Sequence, residues 1–404
     1  MSTERGADRV SLGALAAVFL KLGTVAFGGP AAHISLMEEE FVRRRQWMTE
    51  QEFLDRFGAA NFIPGPSSTE MAIYIGHVKR GWPGLIVAGC CFIIPAAILV
   101  CAIAAAYVRY GSLPQVGGVF YAIKPVVIAV VLQAFWKLQQ TAVKTKTLGA
   151  IGLLSVILLL LGVDNLLVLL CAGILSALPI VFERLKRKPA AASAGILPLA
   201  LRPNAIATGL ASFKSKVAGL GFAAAAAGAA VPFGLWRLFL TFLKIGSVLF
   251  GSGYVLLAFL RSDFVAHLHW LTEKQVLDAV AAGQVTPGPV FTTATFVGYL
   301  VGGLPGAMVA TVGVFLPGFL LVAVSGPLIP KIRRSAVAGA VLDGVIVGSL
   351  ALLGVVTWQL GRAALIDPLT IAMACVSAVL LFALRVNAAG LIAAAAIVGA
   401  IHGG

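Results

Sequence analysis

The sequence predicts an all-α polytopic membrane protein. It reads as two inverted-topology repeats of about five transmembrane helices each, with one Pro-Gly-Pro re-entrant helical hairpin per repeat. Three observations carry this expectation. Apolar residues make up 60% of the 404, charged residues 11%, and mean hydropathy is +0.99, so several runs reach the ~20 residues that cross a bilayer. The chain is written twice. The basic residues alternate between loops, and the alternation reverses in the second copy.

The composition comes first. A bilayer core offers no water to backbone N–H and C=O groups, so spanning segments are helices or closed barrels. Continuous apolar runs such as Gly84 to Tyr107 select helices over the alternating pattern of barrel strands. No cleavable signal peptide is expected, because Lys21 and the Gly28-Gly29-Pro30 break interrupt the first apolar run. The net charge of +14 sits in loops between apolar runs, which argues for membrane orientation and against nucleic acid. Cys90, Cys91, Cys101, Cys171 and Cys375 lie in apolar runs without CxxC spacing and read as small buried hydrophobes.

The duplication is specific. Phe19-Leu-Lys21-Leu-Gly23 returns as Phe242-Leu-Lys244-Ile-Gly246, Trp47-Met-Thr49-Glu50 as Trp270-Leu-Thr272-Glu273, and Pro64-Gly65-Pro66 as Pro287-Gly288-Pro289, all at an offset of 223. The match then continues at 222 through Gly81/Gly303, Pro95/Pro317 and Trp136/Trp358. Duplicated membrane units with Gly/Pro breaks point to a transporter whose site lies at the repeat interface.

The first half offers spans near 12–36, 83–108, 116–136, 147–162 and 165–182. The second offers 236–260, 304–328, 337–358, 369–384 and 388–403. Segments 49–80 and 272–303 read as paired short arms of roughly 14 residues, about 20 Å each and too short to span. Odd span counts invert the halves. Arg43-Arg44-Arg45, Lys79-Arg80 and Lys137/Lys144/Lys146 then lie inside, as do Lys331, Arg333 and Arg334. This ten-span arrangement puts both termini outside. The expected organisation is an N-terminal membrane repeat, 1–182, a basic cytoplasmic linker, 183–216, and a C-terminal membrane repeat, 217–404.

Each hairpin opens on a capping-box pattern, Thr49-x-x-Glu52 or Thr272-x-x-Gln275. Each second arm restarts at Gly65-Pro66 or Gly288-Pro289, with proline suited to the first helical position. Unpaired N–H groups and the positive dipole end make such a start an oxyanion site. Ser67, Ser68 and Thr69 follow in one copy, Thr292 and Thr293 in the other. The structural alternative is a kink whose hydroxyls satisfy its own backbone. Lys21 and Lys244 lie inside apolar helices, where a charge points to substrate contact or to snorkelling. Gly28 and Gly29, with Gly251 and Ser252 opposite, read as opened backbone or as a hinge. Asn61 and Gln284 are matched amide donors that face the cavity or bond local backbone. Glu50/Glu273 and Asp55/Asp278 are duplicated acids, either coupling groups or dipole support. Glu70 is matched by Thr293 and so is not duplicated, and His33 reads as structural. Asp343 and Lys124 have no duplicates, and either coupling or a local ion pair accounts for them.

These residues carry a family resemblance. Phe27-Gly28-Gly29-Pro30, the two Trp-x-Thr-Glu stretches and the Pro-Gly-Pro pair, the second as Pro287-Gly288-Pro289-Val-x-Thr292, resemble the long, two-domain form of the chromate ion transporter (CHR) superfamily. Ser252-Gly253 departs from Gly29-Pro30. The resemblance implies a bacterial inner-membrane protein that exports chromate, an oxyanion shaped like sulfate, and confers chromate resistance. A tetrahedral dianion needs cationic charge and several N–H and O–H donors, which fits the residues above. Without a P-loop, secondary transport is expected, one half rocking against the other. The alternatives are a sulfate or other oxyanion transporter of the same architecture and, less favoured, a membrane-embedded enzyme, for which no paired Asp-rich metal motif exists. The expected partners are the small oxyanion, the lipid bilayer and a second copy in a homodimer. No cofactor, metal or nucleic acid is expected.

Overall fold

The computed structural model describes residues 10–27, 29–111, 113–187, 233–250, 253–333 and 335–402. Every regular element among them is helical. Of the expected linker 183–216, residues 183–187 are still helical, which corrects its start; the rest of it, and the site candidates Gly28, Gly251 and Ser252, lie outside the described residues.

Helix α1 (Leu12–Val25) starts under a Ser11 cap and stops where a span was expected to continue to residue 36. The Thr24 hydroxyl bonds back to the Leu20 and Lys21 carbonyls, which competes with regular helix. Gly29 then takes a φ of +77°, open to glycine at little cost. The chain reverses into α2 (Gly29–Glu38), which continues as a π-helical turn, Glu39–Arg44. The tilted rings of Phe19 and Phe41 meet with centroids 5.2 Å apart; in one straight helix these residues would be about 33 Å apart. The second copy repeats the reversal. Helix α8 (Leu235–Val248) ends, and the returning arm, α9 (Leu256–Leu260) with the π turn Arg261–His267, brings Phe264 to 5.1 Å from Phe242. The expected spans 12–36 and 236–260 are therefore corrected to helical hairpins.

A second hairpin follows in each half. Helix α3 (Glu50–Ala60) opens on the Thr49/Glu52 capping box. After the Pro-Gly-Pro break the chain enters α4 (Ser67–Tyr110). Pro66 is the residue before the helix, with extended ψ 106°, one place earlier than expected. The counterparts are α10 (Glu273–Val285), with the Thr272/Gln275 box, a 3₁₀ turn at Val290–Thr292 and α11 (Thr293–Arg333). Both long helices fold back on themselves, at Gly81 (φ +60°, ψ −145°) and at Gly303 (φ +61°, ψ −153°). The fold-back needs bare backbone. A Cβ on Gly76 would stand 2.3 Å from the Gly84 oxygen, and one on Gly84 2.2 Å from the Gly76 oxygen; Gly298 and Gly306 repeat these distances.

The rest of α4 leads into α5 (Pro114–Ala142), α6 (Lys146–Leu160) and α7 (Asn165–Arg187). The rest of α11 leads into α12 (Ala336–Ala364), α13 (Pro368–Phe382) and α14 (Ala388–His402). Five of the described helices are long and apolar enough to cross a membrane. Helices α6 and α13 have 15 residues each, or roughly 22 Å. The halves interlock. Helices α6 and α7 pack on α12 of the other half, and α13 and α14 pack on α5. Helices α1 and α8 pack on α4 and α11, which pack on each other. Two layers result, each drawn from both halves: a hairpin layer and a six-helix bundle.

Leu12 lines one pocket with Lys79, Arg80, Gly81 and Pro83, so α1 starts at the face where the second hairpin turns. Helix α4 then runs from there to Tyr110, and Gly399, near the other terminus, lies against Gly118 just beyond. Leu12 and Gly399, near the two ends of the described residues, therefore stand at opposite faces.

Candidate functional site

The two breaks in each half meet the breaks of the other half. The Gly65 N–H donates to the Leu249 carbonyl at 2.7 Å, and the Gly288 N–H donates to the Ala26 carbonyl at 2.9 Å. Leu249 and Ala26 cap the ends of α8 and α1, and both pairs are related by the 223-residue offset. This reciprocity is a pseudo-two-fold axis running through the crossing. Gly65 and Gly288 have φ of +132° and +86°. A Cβ on Gly288 would come within 2.7 Å of the Ala96 methyl, so the site needs glycine for space as well as for backbone angle.

Hydroxyls surround the crossing. Ser68, Thr69, Thr292 and Thr293 are buried, and Ser67 is half-buried. The Thr292 and Thr293 hydroxyls donate to the Pro289 and Val290 carbonyls, each at 2.8 Å, as the kink alternative required. Ser68 instead meets His33 Nδ1 at 3.1 Å, and His33 Nε2 reaches the Ala26 carbonyl at 3.0 Å. A carbonyl only accepts, so Nε2 carries the proton there and Nδ1 accepts from Ser68 in the neutral ring. Ala26 thus takes donors from both halves. The Gln284 side-chain oxygen accepts from Tyr254 at 3.5 Å, and the Tyr254 oxygen lies 3.7 Å from the Cβ position of Gly29. Asn61 is exposed at the end of α3.

The lysines do not converge on the breaks. Lys21 pairs with Glu40 at 3.5 Å, and Lys244 pairs with Asp263 at 2.7 Å. Both carboxylates sit on the returning arm of the same hairpin, 19 residues on. Burial would raise the Glu40 carboxyl, but the Arg45 bond and the Lys21, Arg45 and Arg44 charges together hold it below its ordinary value. Sequence reasoning did not foresee Glu40 or Asp263, although the 223-residue offset relates them too.

The acids divide. Asp278 is fully buried between Lys124 at 3.0 Å and the Tyr107 hydroxyl, which donates at 2.8 Å. Glu273 pairs with Arg261 at 2.6 Å. Glu50 and Asp55 lie on the exposed face of α3. Lys124 and Asp343 do not meet; Asp343 pairs with Lys144 at 2.7 Å.

The halves are not in the same state. Helix α10 is packed on α5, α12 and α14, whereas α3 packs on α4 and touches α11. Val25 and Phe27 are 51% and 42% exposed, and their second-half matches, Val248 and Phe250, are half-buried. Gly253, Tyr254, Gln284 and Thr293 line a cavity of about 10 Å³, the size of one water and too small for a tetrahedral oxyanion. The chain before the first turn is thus exposed where its second-half match is half-buried, while Gly65 and Glu70 at the Pro-Gly-Pro break are buried.

Comparison with known proteins gives a consistent picture. The model of a family described as "Chromate transporter" matches residues 13–177 and again 236–400. The chain is 31% identical over 402 residues to the "Chromate transport protein" of Cupriavidus metallidurans, covering 98% of this chain and 94% of that one. It is 31% identical over 361 residues to the "Probable chromate transport protein" of Synechococcus elongatus, covering 88% and 86%. A "Chromate transport protein" of Pseudomonas aeruginosa is 30% identical over 384 residues, covering 94% and 89%. No solved structure matches.

Proposed function

The chain belongs to the chromate transporter family, and on that premise we propose that it exports chromate across the bacterial inner membrane by secondary active transport, conferring chromate resistance. The observation that carries the site is the reciprocal pair of bonds from Gly65 to Leu249 and from Gly288 to Ala26. They bring two helix starts and two broken helices together, as expected of a midplane site between repeats. The anion meets the free N–H groups of the second-arm starts and the hydroxyls of Ser67 and Thr69; Ser68, Thr292 and Thr293 join once they release His33 and the Pro289 and Val290 carbonyls. Asn61, Gln284 and Gly29 border the same space. Lys21 and Lys244 contribute by holding the two broken hairpins through Glu40 and Asp263.

The repeats are inverted in the membrane, and both hairpins of each half are re-entrant. Arg43, Arg44, Arg45, Lys79, Arg80, Lys137, Lys144 and Lys146 share the face where α1 starts. Arg109, Arg237, Arg261, Lys274 and Arg362 belong to the other. The positive-inside rule makes the first face cytoplasmic. The exposed chain around Val25 and Phe27 then faces the cytoplasm, and the Lys124–Asp278–Tyr107 cluster closes the outer side. Because each layer mixes both halves, the moving unit is the hairpin layer against the six-helix bundle, and not one half against the other. An inside-negative potential favours anion exit by ~2.3 kcal/mol per charge per ~100 mV.

Proteoliposomes loaded with chromate test the reading. We expect potential-driven efflux that a Gly288→Leu variant loses, with sulfate competing weakly. Equal handling of sulfate would reassign the substrate, and absence of efflux in the intact protein would sink the proposal.

A further inference from the structure

The first helix start holds one group that the proposed mechanism does not use. Glu70 lies in the first turn of α4 and is 1% exposed. Its carboxyl bends back over the break, where Oε1 stands 2.0 Å from the Cβ position that Gly65 lacks and 2.9 Å from that of Gly318. The side chain fills the space between the Pro-Gly-Pro loop and α11, at the junction of the halves. Its Oε2 has no hydrogen-bond partner, nor has the adjacent Thr69 hydroxyl. Among the described residues no cation forms a salt bridge with it.

The surroundings offer no charge to balance it. On α2 the facing ionisable group is His33, which is engaged with Ser68 and Ala26. On α3 it is Arg56, which bonds the Tyr74 hydroxyl at 3.2 Å. On α1, which packs closely on α4, it is Lys21, held by Glu40; on α10 they are Glu273, held by Arg261, Asp278, held by Lys124 and Tyr107, and the exposed Lys274. Helix α11 presents Gly318 at the contact, and Tyr299 is the sole ionisable residue in its described side chains. An ionised carboxyl here would be a buried charge with no cation to pair it, which burial strongly disfavours. It would also stand where an arriving oxyanion needs the free N–H groups of the same helix turn. The matching residue of the second half is Thr293, a neutral hydroxyl, so the arrangement occurs once.

We propose that Glu70 is a proton site linked to the anion site: a dianion occupies the first helix start only when the Glu70 carboxyl is protonated, so one proton enters with each anion. The inference rests on the oxyanion reading above. The proton is taken from water onto a carboxylate oxygen, and no other bond changes. By linkage, each ligand then strengthens the binding of the other, and the charge moved per dianion falls by one.

The test is chromate binding to the purified, lipid-reconstituted protein across a series of buffers. In the wild type, affinity should fall about tenfold per pH unit on the alkaline side. Glu70→Gln should bind with no such slope, whereas Glu70→Asp should keep it. Chromate's own titration is common to all three proteins and cancels in the comparison. Proton uptake, read with an indicator dye in weak buffer, gives an independent check on the unaltered protein: about one proton per anion beyond the anion's own. The same slope in wild type and Glu70→Gln, or no proton uptake by the wild type, overturns the inference and leaves the oxyanion reading intact. Absence of chromate binding at every pH overturns both.

Discussion

At the scale of single residues, the two lysine pairs look alike and differ in what they hold. Glu40 is surrounded by Arg45 at 2.7 Å, with Arg44 and Lys21 each at 3.5 Å. Asp263 has a salt bridge to Lys244 alone among the described residues, and its second oxygen is buried without a partner. Removing the lysine should therefore have unequal effects. Lys21→Ala should cost under about 1 kcal/mol, as for a pair with an exposed member. Lys244→Ala should cost about 1–3 kcal/mol, because it strands a buried carboxylate. Adding Asp263→Asn to Lys244→Ala should recover part of the loss. Thermal unfolding of the purified variants measures this, and equal losses would refute the account. The lysines were visible in the sequence as duplicated charges in apolar helices. Their partners were not, because a carboxylate 19 residues away is a neighbour only if the helix between turns back.

At the scale of elements, glycine decides the folds. Gly81 turns α4 with a φ of +60°, and a Cβ there would meet nothing within 4 Å. Gly84 has ordinary backbone angles but faces the Gly76 oxygen at 2.2 Å from its Cβ position. Gly81→Ala should cost about 1–3 kcal/mol of backbone strain and leave the hairpin in place. Gly84→Ala forces two backbones apart and should cost more, with a larger loss of folded protein on size-exclusion chromatography. A milder phenotype for Gly84→Ala would mean that the hairpin is looser than the geometry indicates. The hairpin starts at Thr49 and Thr272 and the Pro-Gly-Pro breaks were legible, because caps and proline act on local backbone. The reversal after Ala26 was not. A hydropathy pattern reads an apolar stretch with a glycine-rich break in it as a loosened span, and nothing local distinguishes a kink from a full turn.

At the scale of the whole molecule, each half sends its last two helices to the other half, while α10 is docked on the six-helix bundle and α3 packs on α4 instead. The arrangement makes a topological prediction. Single cysteines at Ser11 and Arg43 should react with an impermeant maleimide from the cytoplasmic face. Those at Arg237 and Arg362 should react from the outer face. Labelling of Ser11→Cys and Arg362→Cys from one side would break the assigned topology. The sequence by itself determined the membrane class, the duplication, the cap-and-break grammar of the Pro-Gly-Pro hairpins and the family, because all of these are written in local composition and in spacing along the chain. The tertiary structure alone decided that the first apolar segment of each half is a hairpin, that the breaks pair across the halves, that the lysines are neutralised within them and that Glu70 closes one helix start. Those facts depend on distances between residues tens or hundreds of positions apart, and such distances are set by packing.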